Sequence, residues 1–290
     1  MIDVTLNRSS ANAGQSASRR DFLRAVSATA GFALSSQALA FAQQTAPAAA
    51  PTSDADAGLG PNPTLDASLK FHPDGTVRPF AGNTVICHVP QQNRFRDNTA
   101  ALHDALLQSS FVHKLAILPT ESYHMTVYSG SNDQNRVHSS WPGGVPIDVP
   151  IEQCNKVMFE RMKAFRFDGP YPLRVRVDVP RTMSHGRAST LRMEGADPAS
   201  ERTLRILRDR LADVYKFRAP DHDTYGFHIT IAYTMADLTA AEMAEYRSIL
   251  RPTLDRLIAA TPVLELGLPE YCTFRDMYRF DTELMLRAGS

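Results

Sequence analysis

Cysteine is scarce in this chain: three in 290 residues (Cys87, Cys154, Cys272), with no CxxC pair and no histidine at ligand spacing. That excludes a disulfide framework and the common structural zinc modules, and leaves at most one disulfide. Net charge is also missing, with 31 basic against 31 acidic residues. A protein that grips long nucleic acid along a basic stripe would show an excess of positive charge. Only five of the bases are lysine. No glycine-rich phosphate loop follows any expected strand, which argues against a doubly wound nucleotide fold. No apolar run reaches the ~20 strongly apolar residues of a spanning helix. What is present, 43% hydrophobic and 8% aromatic residues, is enough for a core at this length.

Three segments follow from composition. Ser18-Arg19-Arg20-Asp21-Phe22-Leu23-Arg24, followed by a mildly apolar run to Ala42, resembles a twin-arginine export signal. Small-x-small sites at Ala38-Leu39-Ala40 and Ala40-Phe41-Ala42 place cleavage before Phe41 or Gln43. Residues 1–42 are therefore expected to engage the twin-arginine export machinery and deliver a folded protein to the periplasm with no permanent membrane anchor. Their removal takes four Arg and two Asp, leaving 27 bases against 29 acids, so no stable nucleic-acid complex is expected. Residues 43–60, rich in Ala, Pro, Ser and Asp, read as a linker. Residues 61–290 form the expected domain.

Within it, period-2 runs predict strands at Thr84–Val89, Leu115–Leu118, His124–Tyr128, Pro172–Val179, Ser189–Glu194, Phe227–Tyr233, Val263–Leu266, Tyr271–Phe274 and Glu283–Leu286. Helical spacing predicts helices over Asn98–Gln108, Ile151–Phe165, Arg202–Tyr215 and Thr239–Leu257. Adjacent strand pairs with few helices predict an α+β fold with antiparallel or mixed sheet and helices packed outside.

Two strands carry the chemistry. Ser122-Tyr123-His124-Met125-Thr126-Val127-Tyr128 and Gly226-Phe227-His228-Ile229-Thr230-Ile231-Ala232-Tyr233 both read aromatic-His-apolar-Thr-apolar, 104 residues apart. Alternation puts His124 with Thr126 on one face and Met125 with Val127 on the other, and likewise His228 with Thr230 against Ile229 with Ile231. A repeated half sets the two polar faces across a pseudo-twofold axis in one cleft. One neutral imidazole then takes a proton from water while the other gives one to a leaving oxygen. The threonine hydroxyls donate to phosphate oxygens.

Paired His-x-Thr strands, with Phe80-Ala81-Gly82-Asn83-Thr84-Val85-Ile86-Cys87-His88, Leu118-Pro119 and Trp141-Pro142 around them, resemble the 2H phosphoesterase superfamily over roughly residues 70–288. That group includes 2′-5′ RNA ligase-like proteins and cyclic nucleotide phosphodiesterases. The resemblance implies two similar lobes, each an antiparallel sheet backed by helices, with a central cleft. It implies hydrolysis of 2′,3′-cyclic or related small phosphodiesters, or of nucleotide substrates, with neither metal nor cofactor. His124 and His228 are then catalytic, with His228 assigned as base and His124 as acid, and Thr126 and Thr230 bind substrate. The alternative is a binding module that holds a nucleotide or phosphate ligand in the same cleft without turnover.

Further candidates come from position. Arg192 is in reach of a phosphate. Tyr128 shares the His124 face by parity, whereas Tyr233 falls on the opposite face and is expected in the core. Phe274 and Tyr123 are candidate stacking aromatics. A metal site from His222, Asp223 and His228 matches neither His-x3-His nor HExxH spacing.

Overall fold

The computed structural model describes residues 63–185 and 190–288. The expected export signal (1–42) and linker (43–60) lie outside the described residues. All described residues belong to one compact unit, Ala50–Ser290. In chain order its elements are α1 (Leu65–Lys70), β1 (Gly82–His88), α2 (Arg94–Leu107), β2 (Leu115–Ile117) and β3 (His124–Asn132). There follow α3 (Ile151–Lys163), β4 (Arg166–Phe167), β5 (Leu173–Val177), α4 (Val179–Ser184), β6 (Thr190–Gly195) and α5 (Pro198–Tyr215). The last are β7 (His228–Thr230), β8 (Ala232–Thr234), α6 (Ala240–Ala260), β9 (Leu264–Leu266), β10 (Glu270–Phe274), β11 (Phe280–Met285) and β12 (Arg287–Ala288).

Local chemistry sets the helix ends. Asn93 caps α2 by accepting from the Phe95 N–H, and Asp197 caps α5 by accepting from Ser200 with Pro198 in the first turn. Thr239 and Glu242 form a reciprocal capping box on α6. The predicted strand Pro172–Val179 stops at Val177, because the Asp178 carboxylate accepts from the Arg181 N–H and starts α4, a helix the alternation of Val175, Val177 and Val179 conceals.

Eight strands form one antiparallel sheet in the order β11-β10-β1-β3-β7-β6-β5-β9. The fold is α+β, as expected. The two lobes are two four-stranded halves of this sheet, and they meet where β3 pairs with β7 at Met125 and Ile229. The first half is completed from the far end of the chain, since β10 and β11 lie on the outer side of β1. Helix α3 packs against β1, β10 and β11, and α5 against β3, β5 and β6.

Two departures from regular strand geometry matter for the site. In the β1–β3 ladder Ile86 pairs with Thr126 and Val85 with Tyr128, so β3 carries an extra residue, a bulge that puts Val127 and Tyr128 both in the core. The predicted strand Phe227–Tyr233 breaks at the buried Ile231. Its first part, β7, belongs to the main sheet, and its second, β8, pairs with β2 in a separate ribbon.

Met125 and Ile229 are both fully buried and join the two halves. Truncation of Ile229 to Ala is expected to lower the unfolding free energy by about 2–5 kcal/mol, measured as a fall in the urea midpoint.

Candidate active site

His124 opens β3 and His228 opens β7, so each imidazole stands where its strand enters the sheet. Met125 opposite Ile229 fixes the antiparallel register. It sets Thr126 beside His228 and Thr230 beside His124 on the opposite face of the sheet, each histidine next to the other motif's threonine. All four line one cavity of about 280 Å³. The pseudo-twofold relation extends to the ring nitrogens. His124 Nδ1 lies 2.6 Å from the Ser122 carbonyl oxygen, and His228 Nδ1 lies 2.8 Å from that of Gly226. A carbonyl only accepts, so each Nδ1 carries the proton and each neutral ring keeps its lone pair on Nε2.

Both imidazoles are held below their ordinary pKa near 6.5. Burial is the main cause for His124, which is brought to about 4. The Ser122 carbonyl opposes this, and the charges of His88, His228 and Lys70 add to it. For His228 the direction is the same, again through burial first, opposed by the Gly226 carbonyl and assisted by Arg192 and Lys70. The cleft thus holds two neutral rings.

The other expected residues divide. Arg192 on β6 pairs in register with His228, yet its guanidinium is turned to His185, 3.1 Å from Nε2, and does not line the cavity. The bulge overturns the parity argument for Tyr128. That residue is 2% exposed, its hydroxyl donates to the Phe217 carbonyl, and its ring stacks on Tyr215. Ser129 takes its place on the cleft wall. Tyr123 is buried in the core, while Phe274 does line the cavity. Tyr233, expected in the core, reaches the cleft because the break at Ile231 resets its facing. His222 and Asp223 gather with Asp209 rather than with His228, and Arg218 bridges the two carboxylates at 2.8 Å.

Several cleft residues lie outside both motifs. Lys70 and Asp66 come from α1, Phe80 from the loop before β1, and Phe280 from β11, its ring 4.2 Å from that of His124. Tyr225 lines the cavity together with Ser129 and Thr126. Beneath Tyr225 lies Arg208, 3% exposed, its guanidinium 4.0 Å from the ring centroid and donating to the Val127 carbonyl. Behind His124, His88 pairs in register with it, and Nδ1 of His88 meets Glu270 Oε2 at 2.9 Å. Cys272 brings a third ligating atom close to that pair, but both Glu270 oxygens are already engaged, by His88 and by Thr282. A larger cavity of about 840 Å³, against α3 and β10–β11, contains neither motif.

Residues 70–185 match the family model described as "2H-phosphodiest: Domain of unknown function (DUF1868)". Over residues 70–185 the chain is similar to a 2H phosphodiesterase-type domain. The matched stretch includes His124 and Thr126 and ends before His228 and Thr230. A crystal structure of a conserved protein of unknown function from Agrobacterium tumefaciens str. C58 aligns at a TM-score of 0.72 and 27% identity, over 81% of this chain and 100% of that one. A structure from Thermus thermophilus aligns at a TM-score of 0.31 and 14% identity, over 66% of this chain and 86% of that one, too low to carry an argument. No curated protein matches.

Between about pH 4 and 6.5 the unfolded chain binds a proton at His124 that the folded chain does not. Stability therefore rises with pH through that window. Imidazole NMR titration is expected to show His124 neutral down to about pH 4, and the slope of stability against pH is expected to shrink in the His124→Asn variant.

Proposed function

We propose that the chain is a phosphodiesterase that hydrolyses 2′,3′-cyclic or related small phosphodiesters by two-histidine acid–base catalysis. The observation that carries this reading is the matched pair of imidazoles. Each is fixed through Nδ1 by a backbone carbonyl two residues earlier, and each is set beside the opposite threonine in one cavity. The family model supports phosphodiesterase-type chemistry. A cavity of about 280 Å³ suits a small diester rather than a polymer chain.

In the proposed reaction, Nε2 of the base takes a proton from water as the water oxygen bonds to phosphorus. The bond from phosphorus to the leaving oxygen breaks, and that oxygen receives a proton from Nε2 of the acid. Thr126 and Thr230 donate to the non-bridging oxygens as charge builds on them. Burial argues for roles opposite to those assigned from sequence. His124, brought to about 4, stays neutral and serves as base, and His228 serves as acid. The segment Ser18–Arg24 supports twin-arginine export and action in the periplasm.

The test is turnover of a panel of 2′,3′-cyclic nucleotides and other diesters by the purified chain with chelator present. Hydrolysis is expected with a kcat/KM optimum between about pH 4 and 6.5, the acid limb reporting a base that must be neutral and the alkaline limb an acid that must be protonated. His124→Ala and His228→Ala are each expected to lose roughly 10²–10⁴-fold. Ligand binding without turnover by the parent chain would favour the binding module, and activity abolished by chelator would sink the metal-free mechanism.

A further inference from the structure

Lys70 and Asp66 are the two charged residues in the lining of the motif cleft, among the described residues. The rest of the lining is neutral, and both histidines are kept neutral by burial. Lys70 belongs to neither His-x-Thr strand. As the last residue of α1 it stands outside the pseudo-twofold relation. Its ammonium is held from several sides. Nζ lies 2.7 Å from Asp66 Oδ2 and 3.4 Å from the Tyr233 hydroxyl, 5.4 Å from the Phe80 ring centroid and 5.1 Å from that of Tyr233.

The two partners of the ion pair differ in their surroundings. The Lys70 side chain is 14% exposed and that of Asp66 is 63% exposed. A pair with one carboxylate in water contributes little to stability, so stability alone does not account for an ammonium lodged between two rings at the cleft. The rings restrict the lysine stem, whereas Asp66 is free to be displaced. An anion entering the cleft meets one fixed cation whose counter-ion is the mobile partner.

We propose that Lys70 is the residue that anchors the substrate's phosphate group, with Asp66 as its resident counter-ion until substrate enters. The kind of anion rests on the phosphodiesterase reading, whereas the anion site itself rests on the charge layout of the cleft. The two histidine–threonine pairs are interchangeable by the register of β3 on β7. One cation to a single side of them fixes which way a diester lies, and so which imidazole faces the water and which the leaving oxygen. Binding of the anion also compensates the positive charge that helps to keep both imidazoles neutral, so that one of them can be protonated.

Inorganic phosphate is the probe, titrated into the purified full chain while the imidazole signals of His124 and His228 are followed by NMR. Phosphate is expected to move both signals. Lys70→Met should weaken its binding about tenfold or more, and Lys70→Arg should restore most of it. Asp66→Asn, which removes an exposed carboxylate from the competition, should tighten binding several-fold, a direction that a merely structural ion pair would not produce. Phosphate that leaves both signals unmoved, or that binds Lys70→Met as tightly as the parent, overturns the proposal. Should Lys70→Met fail to fold, Asp66→Asn decides, and unchanged or weaker phosphate binding overturns it. Phosphate binding that follows Lys70 in a chain that turns over no diester would sink the phosphodiesterase reading and leave the anion site standing.

Discussion

Most of the cleft depends on one register, that of β3 against β7. The two strands pair in register at Met125 with Ile229, both fully buried. Shifting that pairing by one residue would turn the imidazoles and hydroxyls of one strand into the core and its apolar residues into the cleft. The register is therefore held by burial on one face and made useful on the other. The same geometry explains why two short, similar words are needed. Each strand supplies a histidine for its own side and a threonine for the other, so half of the constellation would give an imidazole without its facing hydroxyl.

The electrostatics of the cleft follow from burial more than from charge. Both rings lose proton affinity because a charged imidazole would be poorly solvated, and the nearby cations act in the same direction. Arg208 shows a cation managed in another way. Deep in the core, it lies over the Tyr225 ring and donates to the Val127 carbonyl on β3, and among the described residues it has no carboxylate at ion-pair distance. It thereby ties α5 to the bulged stretch of β3 and to an aromatic of the cleft wall. His88 with Glu270 plays a similar part on the other side, as a hydrogen-bonded couple next in register to His124. The motif residues are thus supported from β1, β10 and α5, and their positions are a property of the whole sheet.

This division explains what was legible in the sequence. The two His-x-Thr words, the α+β class and the helices α2, α3, α5 and α6 depend on local periodicity, and they read directly. Tyr128 misled because parity assumes an unbroken ladder, and the extra residue at Val127 is a consequence of how β1 lies against β3. Tyr233 misled in the opposite sense, since one apolar run serves two sheets and turns at Ile231. Helix α4 hid in a clean alternation that a single aspartate cap ends. Lys70, Phe80 and Phe280 carried no local signal, because only the topology brings α1 and β11, distant in the chain, to the ends of β3 and β7.

Symmetry and its breaking together account for the proposed chemistry. A pseudo-twofold pair of imidazoles, each with Nδ1 protonated and Nε2 open, is indifferent to direction, since either ring can be the base for a diester lying one way and the acid for the same diester reversed. The proposed hydrolysis needs one answer. The features that would supply it lie outside the repeat: Phe280 against the His124 ring, the register partner Arg192 beside His228, and the cation of Lys70 between Phe80 and Tyr233. The repeat provides two equivalent proton-transfer groups, and the unrepeated parts make them unequal. A cleft lined by the repeat alone would bind a phosphodiester in two orientations with equal ease. In the proposed reaction, the strand ends, helix α1 and the C-terminal hairpin would give this one a direction.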